Sequence, residues 1–131
     1  MATIKAYSDL EQSRKLAEIL PLESADMYYM ETSYNNYTIG VLQRMERDML
    51  LKQAEYYKMF PCWSLAALLG VIPKHIKDYN VLRIDISTND FAIWYDEIDC
   101  GVNNELPDIT KETAIDACVA MIEKLHELKM L

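Results

Sequence analysis

The stretch Leu82-Arg83-Ile84-Asp85-Ile86-Ser87-Thr88-Asn89-Asp90-Phe91-Ala92-Ile93-Trp94-Tyr95 decides the fold. Leu82, Ile84 and Ile86 alternate with Arg83, Asp85 and Ser87, the period-two pattern of a half-buried strand. Phe91, Ile93 and Tyr95 repeat the alternation after Thr88-Asn89-Asp90. A two-residue loop at Thr88-Asn89 pairs Ile86 with Phe91, Ile84 with Ile93 and Leu82 with Tyr95. A slip of one residue would send the two apolar sets to opposite faces, so the register is well specified.

Helical signals flank this hairpin. Ala114, Ile115, Cys118, Met121, Ile122, Leu125 and Leu128 form one apolar stripe, which predicts an amphipathic helix from about Glu112 to Lys129. On the other side, Trp63 to Ile72 is short, apolar and without alternation, and Pro73 closes it as a buried helix. Ser8-x-x-Glu11 has capping-box spacing and opens a helix that places Leu10, Ser13, Leu16, Ala17 and Leu20 on one face and stops at Pro21. Met27 to Thr32 reads as a strand between Asp26 and the polar Ser33 to Asn36. The segment from Tyr37 to Phe60 admits two readings. Val41, Leu42, Met45, Met49, Tyr56 and Phe60 fit a helical stripe; a strand, a turn at Glu46-Arg47-Asp48 and a second strand also fit. Good helix formers favour a helix over about Leu42 to Tyr57. The sum is an α+β fold, one domain with a small antiparallel sheet under a single layer of three or four helices.

Composition bounds the function. A chain of 131 residues buries roughly two-thirds of its unfolded surface and needs no disulfide or metal to fold. With 21 acidic against 13 basic side chains the net charge is −8. Phosphate backbones and anionic membranes are held by clustered Lys and Arg. The densest basic run here, Lys74, His75 and Lys77, is short and meets Asp78, so neither nucleic acid nor membrane is expected as a direct partner. An acidic chain can instead mimic nucleic acid and occupy a basic groove. Three cysteines, Cys62, Cys100 and Cys118, at wide spacing fit reduced thiols and a cytoplasmic setting.

Few constellations carry chemistry. Cys62-Trp63-Ser64 ahead of a helix resembles the way papain-like proteases present a thiolate, with the helix dipole lowering the pKa. Such a site also needs a downstream His base and an orienting Asn or Asp, and the only histidines are His75, just past the end of that short helix, and His126, on the last helix. Those two histidines show no zinc spacing. The acidic loop Asp96 to Asp108 fails as an EF-hand, since Ile98 and Cys100 stand where oxygen ligands are needed. No metal and no cofactor is expected. The tyrosines offer a different chemistry. Tyr28, Tyr29, Tyr34 and Tyr37 crowd one stretch with Ser33, Asn35 and Asn36, a composition suited to recognition surfaces and equally to a strand filling its core.

Lys15-Leu16-Ala17-Glu18-Ile19-Leu20-Pro21, Glu23-Ser24-Ala25-Asp26-Met27, Pro61-Cys62-Trp63-Ser64-Leu65-Ala66-Ala67-Leu68-Leu69 and Asp116-Ala117-Cys118-Val119-Ala120-Met121-Ile122 together make a distinctive set. In them the chain resembles a family of small uncharacterised proteins encoded by prophages and mobile elements of gut anaerobic bacteria. The resemblance implies a setting without a mechanism. The expectation is a protein–protein binding or accessory module without catalysis, acting on a protein partner or on itself as a homodimer. A Cys62-dependent hydrolase or transferase and an acidic nucleic-acid mimic are the alternatives.

Overall fold

The computed structural model describes residues 5–77, 80–97 and 106–131. It shows an α+β fold with four helices and two antiparallel sheets, so the strands are divided between two sheets. The chain forms two compact units, one over Tyr7–Ala67, the other over Leu68–Leu131 with Lys5 and Ala6.

In the first unit α1 (Leu10–Ile19) is capped by Asp9, one residue later than the Ser8-x-x-Glu11 spacing predicts. The Asp9 carboxylate accepts the Gln12 N–H at 2.8 Å, and the Asp9 N–H donates back to Gln12 Oε1 at 3.1 Å. Ser8 is fully buried and its hydroxyl is engaged elsewhere, which leaves the cap to Asp9. A 3₁₀ turn at Leu22–Ser24 leads into β1 (Met27–Ser33), and β2 (Asn36–Val41) folds back on it, with Asn35 at φ 60° in the turn. A bulge lies between Glu31 and Ser33, and β3 (Met59–Cys62) adds on the far side of β1. Pro61 hid β3 from the sequence reading. Proline is admitted because β3 is an edge strand, where a missing N–H breaks no central ladder.

The helix α2 (Arg44–Tyr57) bears out the helical reading of this segment, but its buried side is not the stripe that reading supposes. Val41 and Leu42 belong to the approach from β2, Leu50 is the buried helical residue, and Met45 and Tyr56 are 69% and 79% exposed. Gln53, at φ −142° and ψ 38°, kinks the helix, and Lys58 ends it in the left-handed conformation.

The chain passes into the second unit within α3 (Leu65–Val71), where the Lys74 ammonium group caps the C-terminal carbonyls of Leu69 and Ile72. The second sheet runs β4 (His75–Ile76), β5 (Asn80–Ile86), β6 (Phe91–Glu97) and β7 (Ile109–Lys111). The β5–β6 register pairs Ile86 with Phe91, Ile84 with Ile93 and Leu82 with Tyr95, as the alternation requires. Helix α4 (Ala114–Glu127) starts at Thr113, whose hydroxyl accepts the Asp116 N–H at 3.0 Å, and packs on β6 and β7. It buries Phe91, Ile93 and Tyr95, while Ile84 and Ile86 on the same face of β5 stay 41% and 75% exposed. The acidic loop lies largely outside the described residues.

The two isoleucines of one cross-strand pair therefore differ sharply in worth. Ile93→Ala leaves a cavity against α4 and should cost about 2–5 kcal/mol. Ile84→Ala, half in water already, should cost under about 1 kcal/mol. Urea unfolding of both variants checks this, and equal losses would refute the placement of α4.

Candidate interaction surface

The sequence points first at Cys62, and the structure puts it at the end of β3 with no exposed surface. Everything around it converges on Ser8. The Ser8 carbonyl accepts the Tyr29 hydroxyl at 2.8 Å and the Cys62 thiol at 3.4 Å. The hydroxyls of Ser8 and Ser13 lie 2.7 Å apart, and the Trp63 N–H donates to Ser8 Oγ at 3.1 Å. Ser8 N–H in turn donates to the Trp63 carbonyl at 2.9 Å. Next along, Trp63 Nε1 donates to Ser24 Oγ at 3.0 Å, and Asp26 accepts both the N–H and the hydroxyl of Ser64. Burial drives the Cys62 thiol pKa up from 9.0, outweighing the hydrogen bonds from Ser8 and Ser13 that favour the thiolate. Tyr29 is also raised from its ordinary 10.0, by burial first and then by Cys62. Ser8, Ser13 and Tyr29 supply no base at neutral pH. The arrangement holds a protonated thiol in a satisfied polar core, the reverse of what a nucleophile requires.

The four tyrosines do not form one patch. Tyr29 is buried and stacks edge-on with Tyr7 and with Tyr37, each at 6.4 Å between centroids. Tyr37 continues the row to Phe60 at 6.3 Å, and the Arg14 guanidinium lies 5.3 Å over the Phe60 ring. The Tyr37 hydroxyl donates to Glu31 at 3.1 Å and accepts from Arg14 at 3.4 Å. Tyr28 faces the other side of the sheet, where its ring lies across Gly40. A Cβ at Gly40 would sit 2.7 Å from the tip of the Tyr28 ring, so any other residue there would require the ring to shift. Tyr34 stands alone at the turn, 87% exposed.

The outer strand of the same hairpin carries further exposed side chains. Ile39 and Val41 are 39% and 62% exposed and share one face of β2. Among the described residues β2 pairs only with β1, leaving its other edge open. The alternation Tyr37-Ile39-Val41 was the signal that could have found this strand, and reading Val41 into a helix concealed it. Shallow grooves of about 450 and 430 Å³ run along α2, the first between Leu22 and Ala54, the second past Met45, Met49 and Lys52. Among the described residues no group of three His, Cys, Asp or Glu side chains could hold a metal ion, and no helix is long and apolar enough to cross a membrane.

The chain matches no family model, no curated protein and no solved structure. The polar groups gathered at Cys62 are closed to solvent, whereas β2 and α2 carry exposed apolar side chains.

Two measurements follow from the buried thiols. Native Cys62 and Cys118 should react with iodoacetamide at least about 100-fold more slowly than in urea, read by peptide mass spectrometry. Fast native labelling of Cys62 at neutral pH would reinstate it as a nucleophile. Stability should also fall at alkaline pH. Burial pushes Cys118 and Tyr95 up to about 12 and raises Cys62 and Tyr29 as well. The folded chain thus keeps protons that the unfolded chain releases, so stability is whole below the unfolded values and declines as pH rises through them. Each group adds a slope of about 1.4 kcal/mol per pH unit between its two pKa values. Cys118→Ala should flatten that slope above roughly pH 9.

Proposed function

We propose that the chain is a protein-binding accessory module of a mobile element, acting by contact and carrying no reaction of its own, with the β1–β2 hairpin as its contact surface. The reading rests on one observation above all, the exposure of Tyr34, Ile39 and Val41 on a single hairpin with an open edge. Strand edges in water are ordinarily blunted by charge, proline or a covering element. From Asn36 to Val41 this edge carries no Asp, Glu, Lys, Arg or Pro. An extended segment of a partner can add to it through main-chain hydrogen bonds, while Ile39 and Val41 bury apolar surface on one face and Tyr34 adds a rigid ring at the end. The buried, protonated Cys62 supports contact over catalysis.

Tyr34→Ser with Val41→Lys tests the surface without touching the core. The double variant should keep its melting temperature to within about 3 °C and lose the partners that the immobilised wild-type chain retains from a native lysate. Retention of the same partners by the variant would dismiss the hairpin as the binding surface.

A further inference from the structure

The open edge of β2 presents a definite set of main-chain groups. Leu42 N–H donates to the Asp26 carbonyl at 2.9 Å, toward β1, and Glu31 N–H donates to the Lys58 carbonyl at 3.0 Å, away from β2. Main-chain groups alternate sides along a strand, so Thr38 and Gly40 bond to β1, while the N–H and C=O of Tyr37, Ile39 and Val41 point outward. The side chains of the same residues share the face of the aromatic row, because Ile39 lies opposite Tyr29 in the register. Tyr37 is held there by its hydrogen bonds with Glu31 and Arg14, and Ile39 and Val41 are partly exposed beside it. Outward donors, outward acceptors and apolar side chains thus coincide at Tyr37, Ile39 and Val41.

This set is symmetric about Ile39. Two copies of β2 laid antiparallel about a two-fold axis through Ile39 oppose Ile39 to the partner's Ile39, Tyr37 to the partner's Val41 and Val41 to the partner's Tyr37. In that register each of these residues gives its N–H and accepts another through its carbonyl. Shifting the pairing by two residues carries one of them past the end of the facing strand, and shifting by one sets outward groups against inward ones. The axis stands perpendicular to the sheet, so it keeps both apolar sets on one face and joins two three-stranded sheets edge to edge. On the other face Thr38 comes opposite the partner's Gly40, beside the partner's Tyr28. No residue from Asn36 to Val41 is charged, so two chains that each carry −8 meet here without an opposed like pair.

We propose that the partner of the β2 edge is a second copy of this chain, paired antiparallel through Tyr37, Ile39 and Val41 about an axis at Ile39. The inference rests on the hairpin being a contact surface and names what meets it. So short a seam lies below the size of a stable interface and gives a weak dimer, with a dissociation constant of about 10–100 µM. The net charge of each chain opposes the approach while the seam itself is neutral, so association tightens as salt screens the two chains.

Charge placed on the axis tests both the partner and the register, with the full-length chain read by sedimentation equilibrium. The wild type should be mostly dimeric by about 300 µM, and more so as sodium chloride rises from about 20 to about 500 mM. Ile39→Lys opposes two lysines at the axis and Ile39→Glu two glutamates, so each variant alone should dissociate at least about tenfold more readily. Mixed in equal amounts they oppose lysine to glutamate and should form a one-to-one heterodimer, a rescue that requires the register pairing Ile39 with itself. Circular dichroism checks that both variants stay folded, and a second measurement uses the unaltered chain. Amide exchange followed by nuclear magnetic resonance should slow about threefold at Tyr37, Ile39 and Val41 between about 20 and about 500 µM. A wild type that stays monomeric at about 300 µM overturns the proposal. So do variants that dimerise like the wild type, folded variants whose mixture fails to associate, a dimer that weakens with salt, or outward amides indifferent to concentration. None of these outcomes decides the hairpin's role toward other proteins, which is read separately from partner retention by the Tyr34→Ser, Val41→Lys chain.

Discussion

Ser8 is where the unit of Tyr7–Ala67 closes. Its carbonyl, amide and hydroxyl are withdrawn from water, and each must then find a partner, since a buried unsatisfied polar group costs about 1–3 kcal/mol. The carbonyl takes Tyr29 and Cys62, the amide takes the Trp63 carbonyl, and the hydroxyl takes Ser13 and the Trp63 amide. One residue thereby ties the approach to α1 to both β1 and the end of β3. Much else in the unit is settled by that choice. With the Ser8 hydroxyl inside, α1 must be capped by Asp9. With Tyr29 anchored, the edge-on aromatic row through Tyr37 to Phe60 has a fixed end. With Cys62 donating inward and without exposed surface, burial holds the thiol in its protonated form.

In the other unit the governing constraint is the width of one helix. Helix α4 covers about two strands of a sheet whose neighbours lie near 4.8 Å apart, and it sits over β6 and β7. The alternation in β6 is therefore read out in full as burial. In β5 the same alternation extends beyond the cover, and Ile84 and Ile86 are left at the margin. Polar residues take the opposite face, where Asp96 accepts both Trp94 Nε1 at 2.9 Å and Arg83 Nε at 3.1 Å.

Legibility in the sequence followed the locality of the determinant. The register of Leu82 to Tyr95 and the span of α4 were readable because alternation and stripe are carried by the residues themselves. The strand β3 was not, because Pro61 speaks against a strand unless its edge position is known, and edge position is a property of the sheet. The cap at Asp9 was missed for a related reason: Ser8 and Asp9 both suit an N-cap, and only Tyr29, Cys62 and Trp63 explain why Ser8 is taken. The side on which α2 is buried depended on where the helix begins. Counting Val41 and Leu42 as helical rotated the stripe and placed Met45 and Tyr56 inward, when both face water. The tyrosine segment was legible as a mixture and not as a distribution. Alternation separates Tyr28 from Tyr29, but which of them lies inward is fixed by Ser8 on one face and Gly40 on the other.

These constraints bear on function through what they leave outside. A buried network that satisfies every donor around Cys62 also removes the group best suited to covalent chemistry, so rigidity in this core and reactivity of this thiol are alternatives. The apolar surface that the fold does not use is then the remaining resource for contact. Tyr34, Ile39, Val41, Met45, Leu51 and Tyr56 are all large, exposed and in the Tyr7–Ala67 unit. Scattered hydrophobics are ordinary on a protein surface, and their number alone argues nothing. What distinguishes Ile39 and Val41 is their setting, a strand whose open edge carries no blunting charge. Such an edge offers main-chain hydrogen bonds to any extended chain, so selectivity falls to the side chains beside it, Ile39 and Val41 on one face and Tyr34 at the turn.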